Sequence, residues 1–427
     1  MFKSQKSGYL AFNGLNNSFL KINQNLFDLI NEAKNNIAVL SNIEAEIIDS
    51  LLKTLIITTK NEIESRITQK KFLHNYHTFQ HDTLVLTLAP TSACNFRCFY
   101  CYEKGIAHKT INDSTIEKLT DYISERSKKT QNSVDITWYG GEPLLAVHQI
   151  DKIITQLKEK EVKIVHQGMI TNGYYLNDEN LEFLKRNKIS FIQITLDGLN
   201  STTHDARRKN TDGSGSWDVI LENIDNVLRT KHEIQISIRC NVDKGNQEEY
   251  KILKDYLEQR WNKHPNISIY PGILRNHDDH SPNCQYFTDL ESSNFLISQG
   301  LINKNLPYFQ YNTGGCSATK YNACLIGPEG ELYKCWNELG RADRIIGNIF
   351  DKKVMNKGLM LNYLTGLSMF DDETCMKCCL FFVCDGGCQY VRVTNHVDSR
   401  NENICKTHRI NLEKYLETYY EIKQTKK

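Results

Sequence analysis

The stretch LVLTLAPTSACNFRCFYC, Leu84 to Cys101, carries two signals one after the other. Its first half, LVLTLAP, is a short apolar run ending at Pro90, which reads as a buried strand leaving its sheet. Its second half is a loop with Cys94, Cys98 and Cys101 in the pattern C-x3-C-x2-C, and with Tyr100 just before the last cysteine. Spacing alone leaves three readings open: a zinc knuckle, a disulfide with a spare thiol, or part of an iron–sulfur site. Three close thiolates can each bind one iron of a cubane cluster, with the short loop wrapping one face. The fourth iron then has no protein ligand, and an open position is what a catalytic metal needs and a structural one avoids. A zinc site would want a fourth ligand, for which His108 is the close candidate.

The chain of 427 residues is long enough for two or three domains. Apolar residues at 40% and charged residues at 24% are ordinary for a globular protein. A formal net charge of +1 offers no general attraction to nucleic acid or to an anionic membrane. No apolar run approaches the roughly 18 residues that span a bilayer. The opening MFKSQKSGYLAF has no long apolar segment or small-residue cleavage site, so the expected location is the cytoplasm. In a reducing compartment the fourteen cysteines are expected to hold metal rather than form disulfides. Apart from the first three they concentrate between Cys316 and Cys405, while Cys240 and Cys284 read as small buried hydrophobes.

Working outward, residues 1–80 read as a small unit of their own. GYLAF and SFLKI flank the turn signal NGLNN, and three helical patterns follow, which suggests a winged-helix-like module. From residue 81 to 275 strands alternate with helices. After LVLTLAP come the helix DSTIEKLTDYISER, VDITWYG, a helix after Pro143, KIVHQGMI, the helix around ENLEFLKRN, and SFIQITLDG. The helix WDVILENIDNVLRT, EIQISIRCNVD, the helix QEEYKILKDYLEQR and ISIYPG complete the series. Ser114, with Glu117 three residues on, predicts a capping box for the first helix, whose Ile116, Leu119 and Ile123 share a face. Such alternation predicts an α/β fold of parallel βαβ units, either a curved partial barrel or a doubly wound sheet. In both, ligands bind at the carboxyl ends of the strands. The cysteine loop, GGEP, TNG, DG and RCNVD all fall there, so five loops converge on one rim.

These residues resemble the radical S-adenosylmethionine enzymes, whose C-x3-C-x-aromatic-C loop follows the first strand of a partial (β/α)6 barrel. The resemblance implies a [4Fe–4S] cluster on Cys94, Cys98 and Cys101, with S-adenosylmethionine chelating the free iron. It further implies one-electron cleavage to a 5′-deoxyadenosyl radical that abstracts a substrate hydrogen. Gly140, Gly141, Glu142 and Pro143 resemble the family's glycine-rich motif, with Glu142 an acceptor for the cofactor's ammonium group. By the same resemblance Tyr100, Thr171, Asn172, Thr195, Arg208 and Arg239 are cofactor-binding candidates. TLDG followed by HDARR resembles the SLDG…HDxxR run of peptide-modifying members, and Asp197 is the catalytic candidate facing substrate.

The end of the chain supplies a second cysteine pattern. CMKCCLFFVCDGGC places Cys375, Cys378, Cys384 and Cys388 as C-x2-C-x5-C-x3-C, with Cys316, Cys324 and Cys335 upstream and Cys405 downstream. A zinc ribbon would use four of these and leave the others unexplained. The pattern resembles the SPASM domain, a seven-cysteine extension that holds two auxiliary [4Fe–4S] clusters, here expected over residues 276–427. That resemblance assigns Cys316, Cys335 and Cys388 to the first cluster and Cys375, Cys378, Cys384 and Cys405 to the second. Cys324 is a candidate to complete the first, and Cys379 is surplus.

The function implied is a maturase that installs a crosslink or another C–H functionalisation in a ribosomally made precursor peptide. Its partners would be the precursor, gripped through its leader by residues 1–80, and an external one-electron reductant. A sulfatase-activating, formylglycine-forming enzyme is the alternative. Members of that kind carry an acidic base directly after the cysteine that follows Gly-x4, where this chain has Trp336 and Asn337. A zinc-binding interaction module and a cluster-bearing scaffold without turnover are the readings from other classes.

Overall fold

In the computed structural model, alternating apolar residues near the N-terminus pair as an antiparallel sheet of β1 (Phe2–Ser4), β2 (Gly8–Asn13) and β3 (Ser18–Ile22), in that order. The NGLNN turn is set by its asparagines: Asn13 accepts from the Leu15 N–H at 2.9 Å, and Asn16 from the Ser18 N–H at 3.1 Å. Helices Gln24–Ala33, Ala45–Lys53 and Lys60–Phe79 follow. The structure describes residues 1–80, 82–131, 133–230, 233–276, 283–300, 309–310, 315–351, 354–405 and 407–425. They form two compact units. One holds Met1–Phe79, Asp289–Cys316 and Leu364–Lys427; the other holds Gln80–Thr288 and Ser317–Tyr363.

The second unit is built on one sheet. β4 (Leu84–Thr91), β6 (Ser133–Gly140), β7 (Lys163–Thr171), β8 (Phe191–Thr195), β10 (Gln235–Val242) and β11 (Ile267–Ile273) run parallel and side by side in chain order. Each step between neighbours is a helical crossover, which is the arrangement of a partial (β/α)6 barrel. A short antiparallel pair, β5 (Phe96–Cys98) and β9 (Arg208–Asn210), stands apart and sets Cys98 opposite Arg208. The sheet then continues past β4 with β12 (Ala323–Ile326), β13 (Glu331–Tyr333) and β14 (Gly347–Asn348). β12 joins β4 in parallel, and GPEG turns the chain back into β13. Gly330 at φ +84° supplies the left-handed residue of that turn.

The core follows the sequence pattern. Leu84, Leu86 and Leu88, which share one face of β4, are no more than 1% exposed. Ile116, Leu119 and Ile123 are buried together on helix Asp113–Ser127. Each such side chain contributes on the order of 1.5–3 kcal/mol by burial. The cap of this helix differs from the expected Ser114 box. Asn112 is the N-cap, its side chain accepting from the Thr115 N–H at 2.9 Å. Asparagine in extended backbone just ahead of the first turn satisfies that orphan donor, leaving Ser114 inside the helix.

Candidate functional site

The carboxyl ends of β4, β6 and β7 are tied together by the residues that read as a ligand motif. Gly140, at φ +111°, and Gly141 allow β6 to end against the chain leaving β4. A Cβ on Gly140 would lie 2.2 Å from the Thr91 carbonyl oxygen, and one on Gly141 2.2 Å from that of Ala93. The space these glycines open is therefore taken by the protein's own backbone, with Gly141 N–H donating to Thr91 at 3.0 Å and Glu142 N–H to Ala93 at 2.9 Å. Glu142 is fully buried and caps the turn that starts at Pro143. Its Oε1 accepts from Leu144 N–H at 3.0 Å and Thr171 Oγ1 at 2.7 Å, and its Oε2 from Asn172 N–H at 2.7 Å. Burial pushes its carboxyl above the usual range, against the pull of those donors. Asn172 in turn donates to Asn95 Oδ1 at 2.7 Å, inside the cysteine loop.

A second knot lies beside the loop. Tyr100 hydroxyl donates to Asp197 Oδ2 and accepts from Arg208 at 2.7 Å and Asn241 Nδ2 at 3.1 Å. Asp197 Oδ1 accepts from Asn241 N–H at 2.7 Å, so both carboxylate oxygens are engaged within the protein. Asp197 and Arg208 are 1% and 6% exposed. A buried ion pair with this many donors holds its shape, because removing one member strands the other charge. Arg207 lies over the Phe99 ring at 4.9 Å and reaches Asp243 at 3.3 Å. Among the described residues four buried donor atoms here have no acceptor: Nε and Nη2 of Arg207, Nε of Arg208 and Nδ2 of Asn95. Such atoms in a folded protein are commonly satisfied by a ligand or water.

The thiols of the loop are held protonated. Burial pushes Cys94 and Cys101 up to about 12, with Glu142 adding to the first and Glu103 to the second. Cys98 is raised for the same reason, partly offset by Arg208. A metal that binds here displaces those protons. Among the described residues no three His, Cys, Asp or Glu side chains close around a single-ion position.

The other unit brings together four cysteines of the C-terminal pattern. Cys375, Cys378, Cys384 and Cys405 line one cavity of about 690 Å³, with Phe309, Met369, Phe381 and Ile404 among its walls. Gly386 and Gly387, at φ +92° and +81°, fold the loop back. A Cβ on Gly387 would lie 2.0 Å from the Ile404 carbonyl oxygen, which brings the Cys384 loop alongside Cys405. Four soft donors around a space of this size fit an iron–sulfur cluster.

The remaining candidates are placed individually. Thr195 ends β8 and is paired in register with Arg239 of β10. Arg239 folds over Gly272 and donates to Asn241 Oδ1 at 2.8 Å. Cys324 is on β12, its thiol raised by burial and facing Arg126 and Lys334. Cys335 caps the turn Trp336–Glu338. Cys316 is exposed, and Cys388 caps the helix Gln389–Val397. Asn95, Asn241 and Arg207 escaped the sequence reading. Asn241 and Arg207 sit beside marked residues, but nothing local shows that the chain folds them onto Tyr100 and Phe99.

Residues 88–257 match the family model of the Radical SAM superfamily. Those residues form a radical S-adenosylmethionine domain and mark the chain as an enzyme; members of that superfamily bind S-adenosylmethionine and a [4Fe–4S] cluster. It is similar to the cysteine-type anaerobic sulfatase-maturating enzyme of Clostridium perfringens, 21% identical over 349 residues, spanning 72% of this chain and 90% of that one. The structure is similar to anSMEcpe with bound AdoMet and the Cp18Cys peptide, at TM-score 0.60 and 18% identity, over 79% of this chain and 97% of that one. It is also similar to Streptococcus suis SuiB bound to the precursor peptide SuiA, at TM-score 0.52 and 15% identity, over 89% and 92% of the two chains. At these identities the structural likeness is one of fold. The buried unpartnered donors beside the thiol loop suit a cofactor that carries a carboxylate and hydroxyls.

Proposed function

We propose that this enzyme modifies a ribosomally synthesised precursor peptide, installing a crosslink or another change at a C–H bond. The observation that carries the reading is one rim holding a three-thiol loop, buried donors without acceptors and the Tyr100–Asp197–Arg208 knot. Bound there, a [4Fe–4S] cluster with S-adenosylmethionine supplies a 5′-deoxyadenosyl radical able to take a hydrogen atom from carbon. The chain's own residues hold and orient. Cys94, Cys98 and Cys101, as thiolates, would hold that cluster. Arg207, Arg208 and Asn95 offer donors to the carboxylate and ribose oxygens of the cofactor. Asp197 fixes Tyr100 and Arg208 in place and acts as a positioning residue, since its oxygens are already filled. Cys375, Cys378, Cys384 and Cys405 would hold a further cluster, and Cys316, Cys335 and Cys388 would hold a third by the resemblance of their spacing.

The precursor's leader adds as a strand to β3, which pairs with β2 alone among the described strands. The sulfatase-activating alternative needs an acid where Trp336 and Asn337 stand. The nearby Glu338 does not substitute, because it accepts from Tyr363 hydroxyl at 2.6 Å and Cys335 N–H at 3.1 Å in a fully buried position. The test is co-expression with a short peptide encoded beside the gene, followed by mass spectrometry. The peptide should change mass with the native enzyme and remain unchanged with Cys94→Ala. An identical mass shift with Cys94→Ala would move the catalytic site elsewhere.

A further inference from the structure

The four thiols that line the cavity do not meet equal surroundings. Arg392, 9% exposed, stands on the helix that begins after Cys388. Its guanidinium is pinned in two directions: Nε donates to the Gly386 carbonyl at 2.8 Å and Nη1 to Asp372 Oδ2 at 2.9 Å. Asp372 is itself fixed, its Oδ1 accepting from the Thr374 and Cys375 N–H groups at 2.9 and 3.1 Å. The third direction is Nη2 donating to Cys375 Sγ at 2.9 Å. Backbone N–H groups of Leu380 and Gly386 donate more distantly, at 3.4 Å, to Cys378 and Cys384, and Arg409, anchored by none of the contacts that pin Arg392, also hydrogen-bonds Cys378. In the Cys94–Cys101 loop the Phe96 N–H stands 3.4 Å from Cys94, and Tyr100 and Arg208 lie beside Cys98.

A planar fork locked by two anchors has little freedom left, so its third bond costs little ordering entropy. A guanidinium stays charged at any working pH. A fixed cation that hydrogen-bonds a cluster sulfur stabilises the reduced state, which carries one more negative charge, over the oxidised one. Hydrogen bonds to sulfur are among the main determinants of iron–sulfur potentials. Asp372 offsets part of the charge but leaves the N–H···S bond in place.

We propose that Arg392 raises the reduction potential of the cluster held by Cys375, Cys378, Cys384 and Cys405. This rests on the reading that those thiols hold a cluster. The couple is one oxidised cluster plus one electron giving one reduced cluster, with no bond made or broken.

The test is a redox titration of the anaerobically reconstituted full chain with dithionite and mediators, followed by electron paramagnetic resonance. A Cys375→Ala/Cys378→Ala variant identifies the signal concerned. If that variant removes no signal, the ligand assignment is wrong, whatever Arg392 does. With the signal identified, Arg392→Gln should lower the reduced-to-oxidised ratio at fixed potential about tenfold, a shift of about 59 mV for one electron. Arg392→Lys, which keeps charge without the fork, should fall between, and the other signals should not move. An unchanged potential in a fully loaded Arg392→Gln overturns the proposal. If only Arg392→Lys loads, a lowered potential supports it and an unchanged one overturns it. Loss of this cluster in both variants also overturns it, assigning Arg392 to assembly of the loop.

Discussion

His204 is fully buried, packs on Trp217 and accepts from the Asp197 N–H at 3.2 Å through Nδ1. Burial first, then Arg208 and Arg207, hold its pKa well below the usual imidazole value. The unfolded chain therefore binds this proton more readily than the folded one. The stability linked to neutral His204 is fully present above about pH 6.5 and is lost as pH falls toward the folded value. Lowering the pH from about 7.5 to about 5.5 should reduce the melting temperature, with a slope of at most about 1.4 kcal/mol per pH unit from this group. His204→Gln should flatten that slope in a thermal-shift series; an unaltered slope would mean another group carries it. The sequence marked His204 only as part of HDARR, and Asp197 and Arg208 only one at a time. Their joining through Tyr100 was not legible, because it depends on strands far apart in the chain converging at one rim.

At the scale of elements, the βαβ period was readable because each strand and helix carries its own hydrophobic pattern. Helix Asp113–Ser127 and strand β4 needed no tertiary information. The β5–β9 pair was invisible because three residues carry no period, and its partner lies beyond several other elements. The N-terminal hairpin was legible from NGLNN, whereas β1 was not, being three residues of mixed character. The proposed leader site at this scale is β3. Leu20 is 38% exposed on it, and a strand adding alongside would meet that side chain. Leu20→Glu should weaken binding of a labelled leader peptide roughly tenfold, about 1.4 kcal/mol, in fluorescence anisotropy. Cleavage of S-adenosylmethionine without peptide should be unaffected. Equal leader affinity in the variant would remove β3 from the recognition surface.

For the whole molecule, each compact unit gathers segments from separate parts of the chain. Cysteine spacing grouped Cys375, Cys378, Cys384 and Cys405, which line one cavity, but did not disclose this interleaving, which depends on β12 joining the barrel sheet. The reading of three cubanes predicts about twelve irons per reconstituted chain. Cys94→Ala and, separately, Cys375→Ala/Cys378→Ala should each bring this to about eight in a colorimetric iron assay. A native value near four would leave only the catalytic cluster standing.

β12 also fixes an order of events during synthesis. It pairs with β4 roughly 240 residues upstream, so the outer edge of β4 has no strand beside it until Ile326 has emerged from the ribosome. At translation rates of about 5–20 residues per second, that edge stays open for on the order of 10 to 50 s. An open apolar strand edge is a template for the wrong neighbour. A nascent chain that stops before Ala323 therefore leaves the strand feeding the cysteine loop uncovered.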